Sequence, residues 1–278
     1  DEATTRPGDL WVLGEHRLLC GDSSKREDLD RLLGGARIQL VNMDPPYNVN
    51  AASWDRVPNY LEWMIAVVRE TRRVLRASGS LYVWGTTRNN DFLRLKLWMD
   101  ENVGLEFKNW VVWVHKPKIH RKPPDRFLCK HEDLLFYAGE GSTFNQLRDA
   151  PPEFQLKTHA GRYDENYFVP RDKLPPSQQK LFKNGLQLGG PATSWWLGPS
   201  NQSNGKTYKK FAGYKSEWVC ERIVAASSKP GDVVLVPFAG TGTECVAARR
   251  LGRSFLACEI DEERFKVALK RISGVVPK

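Results

Sequence analysis

Val233-Val234-Leu235-Val236-Pro237-Phe238-Ala239-Gly240-Thr241-Gly242-Thr243 passes from four apolar residues, through a proline and two glycines, into a stretch of helical spacing. The apolar run, bounded by Asp232 and Pro237, reads as a buried strand. Thr243 to Arg250 reads as a helix, and Ser254 to Cys258 as the strand after it. Strand, helix, strand in this order is a parallel crossover unit. A glycine-bearing turn from strand to helix lets a ligand approach the backbone and presents free amides at the helix N-terminus. The second strand runs into Glu259, where a carboxylate can accept hydrogen bonds from two ribose hydroxyls. Dinucleotide-binding domains share this pattern, but Cys245 stands where their third glycine is expected. One more helix, Glu262 to Ile272, follows, so the remaining strands of the sheet are expected from upstream.

The obvious supply is Ile38-Gln39-Leu40-Val41-Asn42-Met43, which ends on Asp44-Pro45-Pro46-Tyr47. Neither proline has an amide to donate, and the first restricts Asp44 to extended geometry, so the turn is stiff. A carboxylate and outward carbonyls beside an aromatic ring suit a planar base with an exocyclic amine. From Tyr60, apolar residues recur at Met64, Val67, Val68, Val74 and Leu75, a helical spacing expected to end at Ser78-Gly79. Leu81–Trp84 follows as a strand, completing a second crossover unit. Further strands are expected at Trp110–Val114 and Leu134–Tyr137, and helices at Asp28–Leu33, Phe92–Met99 and Glu217–Ala226. Gly8 to Asp22 reads as a short hairpin turning at Leu13-Gly14-Glu15. Between Glu140 and Phe211 periodicity fades and Pro, Gly, Asn and Gln accumulate, marking an insertion or small second domain. Trp195-Trp196 within it is either an aromatic platform or the insertion's own core. Both ligand-type turns then fall at the carboxyl edge of one sheet, where such sheets bind ligands.

The chain has 278 residues and a net charge of +9, a balance that favours a polyanionic partner. The charge is concentrated: seven Lys and Arg face one Asp between Lys108 and Lys130. Lys116, Lys118, Arg121, Lys122 and Arg126 are the candidate phosphate contacts there. Five cysteines show neither CxxC spacing nor clustering with the five histidines, so no metal site or disulfide framework is expected. A reducing compartment follows, cytoplasmic or nucleoid-associated. No apolar run reaches the roughly 20 residues a membrane span needs. The first residue is Asp rather than Met, which leaves room for an upstream segment.

Asp44-Pro45-Pro46-Tyr47 early and Phe238-Ala239-Gly240-Thr241-Gly242 late resemble the amino-methylating DNA methyltransferases of the permuted β arrangement. Cys20-Gly21-Asp22, Trp54-Asp55, Arg73-Val74-Leu75 with Gly79-Ser80, His131-Glu132 and Glu259-Ile260-Asp261 extend the likeness. The chain departs from the family pattern at Val236, where an acidic residue is usual, and at Tyr214-Lys215-Ser216, where Gln-Lys-Pro is common. The resemblance implies a doubly wound, mostly parallel, seven-stranded Rossmann-like α/β sheet. Residues 1–139 would form its catalytic half, 140–211 a target-recognition insertion and 212–278 its cofactor-binding half. It implies S-adenosylmethionine as methyl donor and double-stranded DNA as partner, in a chain often dimeric in related enzymes, a possible homodimer here. Asp44, Pro45, Pro46 and Tyr47 would hold a flipped-out base; Asp22, Lys215, Phe238, Gly240, Thr241, Gly242, Thr243 and Glu259 would hold the cofactor. Asp at the head of the tetrapeptide favours adenine-N6, with cytosine-N4 the alternative. An RNA substrate and a catalytically silent nucleic-acid-binding module are remoter readings.

Overall fold

A computed structural model describes residues 5–114, 129, 131–147, 182–183, 186–187, 194–197 and 214–275. Its strands are β1 (Leu10–Leu13), β2 (His16–Cys20), β3 (Ile38–Met43), β4 (Leu75–Gly85), β5 (Glu106–Val114) and β6 (His131–Ala138). They continue as β7 (Phe182–Lys183), β8 (Leu186–Gln187), β9 (Trp195–Leu197), β10 (Val233–Val236) and β11 (Ser254–Glu259). The helices are α1 (Arg26–Leu33), α2 (Tyr60–Val74), α3 (Asn90–Asn102), α4 (Glu217–Ser227), α5 (Thr243–Arg250) and α6 (Glu262–Ser273).

Among the described residues one nine-stranded sheet has the order β1-β2-β11-β10-β3-β4-β6-β5-β9. The seven strands from β2 to β5 are the expected sheet, β1 extends one edge as the first arm of the hairpin, and β9 extends the other. β9 runs parallel to β5, so part of the 140–211 stretch lies in the main sheet. Trp196 is buried and meets Trp218 of α4 edge to face at 6.4 Å, which makes it core of the main body. β2, β11, β10, β3 and β4 are mutually parallel, while β6 runs antiparallel to both its neighbours.

Alternation along each strand supplies two cores, as a sheet covered on both faces requires. Leu18, Leu40, Tyr82, Trp84, Phe136, Val234 and Val236 face one way, with Val219 and Ile223 of α4, Cys245 of α5 and Phe265 of α6. Leu19, Val41, Met43, Leu81, Val83, Leu135 and Leu235 face the other, with Leu29 of α1, Met64 and Val67 of α2 and Phe92 of α3. The result is a three-layer α/β/α sandwich.

One boundary differs from expectation. α2 stops at Val74 rather than Ser78-Gly79, and β4 begins at once with Leu75. The pairing of β3 with β4 shifts between Ile38–Leu75 and Leu40–Ser80, so residues 76–79 bulge out. Gln39 holds the bulge by donating from Nε2 to the carbonyl of Ser78 at 2.9 Å. An apolar Leu75 continues the helical pattern, but its side chain is buried as a strand residue.

Candidate active site

β3 and β10 lie side by side and parallel, yet their crossovers leave in opposite directions, β3 toward β4 and β10 toward β11. This is the topological switch point of the sheet, where a crevice opens beyond the strand ends. Asp44-Pro45-Pro46-Tyr47 and the glycine loop sit on either side of it. β6 runs the other way, so its first residues, His131 and Glu132, arrive at the same edge.

The turn after β3 is held from behind. Asp55, 1% exposed, accepts the backbone amides of Asn48 at 2.7 Å and of Val49 and Ala51 at 2.9 Å each. Asn48 and Asn50 take left-handed φ of 55° and 59°, a conformation asparagine tolerates better than most residues. Tyr60, at the start of α2, donates to the Pro46 carbonyl at 2.8 Å, and Asn89 Nδ2 donates to the Tyr47 carbonyl at 2.9 Å. The tetrapeptide therefore has little freedom to move.

Lys215 reaches into this turn from the coil before α4 and is 5% exposed. Its Nζ lies 2.7 Å from Asp44 Oδ1, 2.8 Å from Glu132 Oε2 and 2.7 Å from the Tyr47 hydroxyl. The Tyr47 hydroxyl in turn donates to Glu132 Oε2 at 2.8 Å. The ammonium also stands 4.9 Å from the ring centroids of both Tyr47 and Trp84. Trp84 is fixed by its Nε1 donating to Asn42 Oδ1 at 3.1 Å. Burial pushes the Asp44 carboxyl above the ordinary range, opposed chiefly by the Lys215 ammonium. Burial alone would lower Lys215, but the Asp44 and Glu132 carboxylates outweigh it and hold the lysine protonated well past its usual range. Burial likewise raises Tyr47 far above a free phenol, so it is a neutral donor.

Across the crevice, Glu259 Oε2 accepts the Gly240 amide at 2.6 Å and Oε1 the Asp261 amide at 2.9 Å. Burial pushes its carboxyl up to about 7. Gly240 (φ 53°) has open space on its outer side, the nearest atom to an added Cβ being Arg264 Nη1 at 4.0 Å. Gly242 (φ 81°) packs close against Ala268 of α6, 3.0 Å from an added Cβ to the Ala268 Cβ. Arg271 Nη1 donates to the Thr241 carbonyl at 2.8 Å and to the Thr241 and Thr243 hydroxyls at 3.0 Å each. Phe238 is half-buried, 5.5 Å from the Trp63 ring. Asp22 follows β2 beside this strand end, since the Gly21 amide donates to the Glu259 carbonyl at 3.0 Å. Asp22 Oδ1 accepts from the amide and hydroxyl of Ser24 at 2.9 and 2.7 Å, shaping the turn into α1.

A family model described as DNA methylase, N6_N4_Mtase, matches residues 38–270. The chain belongs to this family. S-adenosylmethionine is the methyl donor of these N6/N4 methylases. The chain is 29% identical over 242 residues to the type II methyltransferase M1.MboII of Moraxella bovis, covering 81% of this chain and 85% of that one. It is 28% identical over 246 residues to M.BglII of Bacillus subtilis, where the match covers 85% of this chain but 64% of the relative. Among solved structures, the M1.HpyAVI–SAM complex superposes with a TM-score of 0.56 at 20% identity, covering 92% of this chain and 98% of that one. PvuII DNA methyltransferase (cytosine-N4-specific) gives 0.65 at 15% identity, covering 94% and 87%.

The methylase's crevice fits the family's donor. Each Glu259 oxygen accepts one backbone amide and retains acceptor capacity, and the exposed side of Gly240 is free of side chains. Glu259 and Gly240 meet at the ends of β11 and β10, with Phe238 in the same loop as Gly240 and Asp22 just after the neighbouring β2. Thr241 and Thr243, expected to contact the cofactor, are both buried, and their hydroxyls accept from Arg271. Lys215, expected beside the glycine loop, sits on Asp44. The basic loop candidates Lys116, Lys118, Arg121, Lys122 and Arg126 lie outside the described residues.

Three site carboxyls were not singled out as site residues. Glu132 and Asp55 belong to the family likeness only through His131-Glu132 and Trp54-Asp55, and a charged residue at the head of a strand or in a loop reads as solvated. Glu244, in the first turn of α5, looked like an ordinary acidic residue at a helix start. It is 3% exposed, and burial, then the nearby Asp44, push its carboxyl up to about 7.

Proposed function

We propose that this chain transfers a methyl group to the N6 amine of an adenine flipped out of double-stranded DNA. The observation that carries the reading is the pairing of Asp44 and Glu259 across one switch-point crevice. An exocyclic amine is a poor nucleophile because its lone pair is delocalised into the ring. Two acceptors, the Asp44 carboxylate and the Pro45 carbonyl, would take its two N–H bonds and favour a pyramidal nitrogen with a directed lone pair. This is positioning and electrostatic stabilisation, with no covalent enzyme intermediate. Tyr47 offers its ring as the stacking face, which a base reaches only by leaving the duplex. S-adenosylmethionine, when bound, supplies an electrophilic methyl on a sulfonium. The chain's own part on that side is to bind: Glu259 for the ribose hydroxyls, the Gly240 backbone for close approach, Phe238 and Asp22 at the crevice wall.

Adenine is supported by the Asp at the head of the tetrapeptide. A relative named DNA adenine methyltransferase YhdJ, from Escherichia coli strain K12, is also 26% identical over 242 residues. Cytosine-N4 remains the second reading, favoured by the likeness to the cytosine-N4-specific PvuII enzyme. Residues 140–211 are the proposed sequence reader, rich in side chains able to touch base edges. Lys116 through Arg126 would set salt-dependent affinity for any duplex. Methylating random-sequence DNA and mapping the modified positions tests this. Modified adenines in one shared context are expected; modified cytosines transfer the assignment to N4, and modification without context removes site specificity.

The pKa of Glu259 gives the cofactor side its own test. Its folded-state value near 7 means that the carboxyl is increasingly protonated below neutrality. Ribose hydroxyls donate best to the ionised form, so S-adenosylmethionine affinity should rise through pH 7 and level off above about pH 8. Calorimetry should show binding weaker by about ten-fold at pH 6 than at pH 8, following one proton per site. Glu259→Gln should bind weakly with no pH dependence. A flat wild-type profile would remove Glu259 from the ribose contact.

A further inference from the structure

The target-base half of the crevice already contains an amine. All three N–H directions of the Lys215 ammonium are answered, by Asp44 Oδ1 at 2.7 Å, Glu132 Oε2 at 2.8 Å and the Tyr47 hydroxyl at 2.7 Å. The ammonium also stands at the hydroxyl end of the Tyr47 ring, 4.9 Å from the centroid. The acceptor an exocyclic amine needs is thus held by one side chain, at the edge of the ring on which its base would stack. We propose that Lys215 is an internal stand-in for the target amine, closing the base pocket until an incoming base displaces it. This rests on the base-flipping reading given above.

The surroundings suit a swinging side chain on a fixed backbone. α4, which begins two residues later, is anchored by Glu217 accepting from Arg250 at 2.8 Å and from Arg271 at 3.1 Å. Glu221 of the same helix accepts from Arg250 at 2.6 Å. Lysine's four-carbon stem can rotate without moving that anchor. In the closed state the ammonium separates two carboxylates that would otherwise repel, and it keeps Asp44 desolvated but compensated. Entry of a base exchanges three charge-assisted hydrogen bonds of Lys215 for those of the base amine and the hydration of a released ammonium. An occupant that fails to bond Asp44 gains nothing to offset that loss, so the stand-in also filters what may enter.

The test uses the duplex identified by methylation mapping, with 8-vinyladenine, a fluorescent analogue that keeps the N6 amine, at the target position. Fluorescence of the unstacked analogue reports the flipped fraction without cofactor present. Lys215→Met, which keeps length and apolar stem but not charge, should raise the flipped fraction on the order of ten-fold, since the competing state is gone. Affinity for the same duplex with an abasic target should stay unchanged. Should the Met variant fail to fold, Lys215→Gln is measured in its place, and a several-fold rise is expected. An unchanged or lower flipped fraction overturns the proposal, because it makes Lys215 a contact to the base rather than its competitor. Wild-type methylation of the unmodified duplex, run alongside, separates the two levels. With methyl transfer intact, unchanged fluorescence overturns the stand-in alone; without methyl transfer, the reading beneath it falls too.

Discussion

Asp44→Ala should lower methyl transfer by about 10²–10³-fold, the scale on which single preorganised electrostatic contacts act. The carboxylate sits at the end of β3, held in place by a turn whose two prolines leave it no alternative conformation. Pro45 retains its carbonyl in the variant, but one acceptor cannot direct both N–H bonds of an amine. Cofactor binding should survive, because Glu259 and the glycine loop belong to β10, β11 and the start of α5, which Asp44 does not support. Folding should survive as well. Lys215 would keep Glu132 at 2.8 Å and the Tyr47 hydroxyl, so no buried charge is orphaned. A tritiated-methyl assay with parallel calorimetry separates the two properties. Turnover near the wild-type rate would sink the assignment of Asp44.

Asp55→Ala should harm both stability and rate, though Asp55 touches no reacting group. Its two oxygens accept three loop amides, of Asn48, Val49 and Ala51, at 2.7 to 2.9 Å, and the residue is buried. Leaving buried amides without acceptors costs about 1–3 kcal/mol each, and water reaching this partly exposed loop will recover some of it. A net loss of about 3 kcal/mol corresponds to a Tm decrease of roughly 6–12 °C for a chain of this size. The same loop carries Tyr47, and a displacement of about 1 Å at a reacting centre costs on the order of 10²-fold in rate. The expected signature is a lowered Tm, a lowered kcat and near-normal S-adenosylmethionine binding. An unchanged Tm and kcat would mean that the prolines, Tyr60 and Asn89 hold the turn without Asp55.

The elements that carried alternating or helical apolar patterns were legible from the chain alone. Leu81–Trp84, Leu134–Tyr137 and Val233–Val236 project side chains to alternate faces, and each lies in a strand of the sheet. The shared carboxyl edge of the two ligand turns was legible too, because their order left the sheet few topologies. The failures have local causes. Leu75 kept a helical period while Gln39 and the bulge at residues 76–79 drew it into β4. Lys215, Glu132 and Glu244 come from three distant segments, and a cluster joined through tertiary packing leaves no spacing to read. Thr241 and Thr243 looked like ligand contacts because they flank the glycines. Arg271, about 30 residues later, donates to their hydroxyls, a tertiary contact that no local spacing shows.

The central claim is that Asp44 and the glycine loop form two halves of one site that methylates an exocyclic amine. It is tested most directly by incubating duplex DNA with methyl-labelled S-adenosylmethionine, digesting it to nucleosides and locating the label by mass spectrometry. The account predicts label on N6-methyl-2′-deoxyadenosine, absent from a parallel digest made with Asp44→Ala. Label on the C5 carbon of cytosine, or equal labelling by the Asp44 variant, would contradict it.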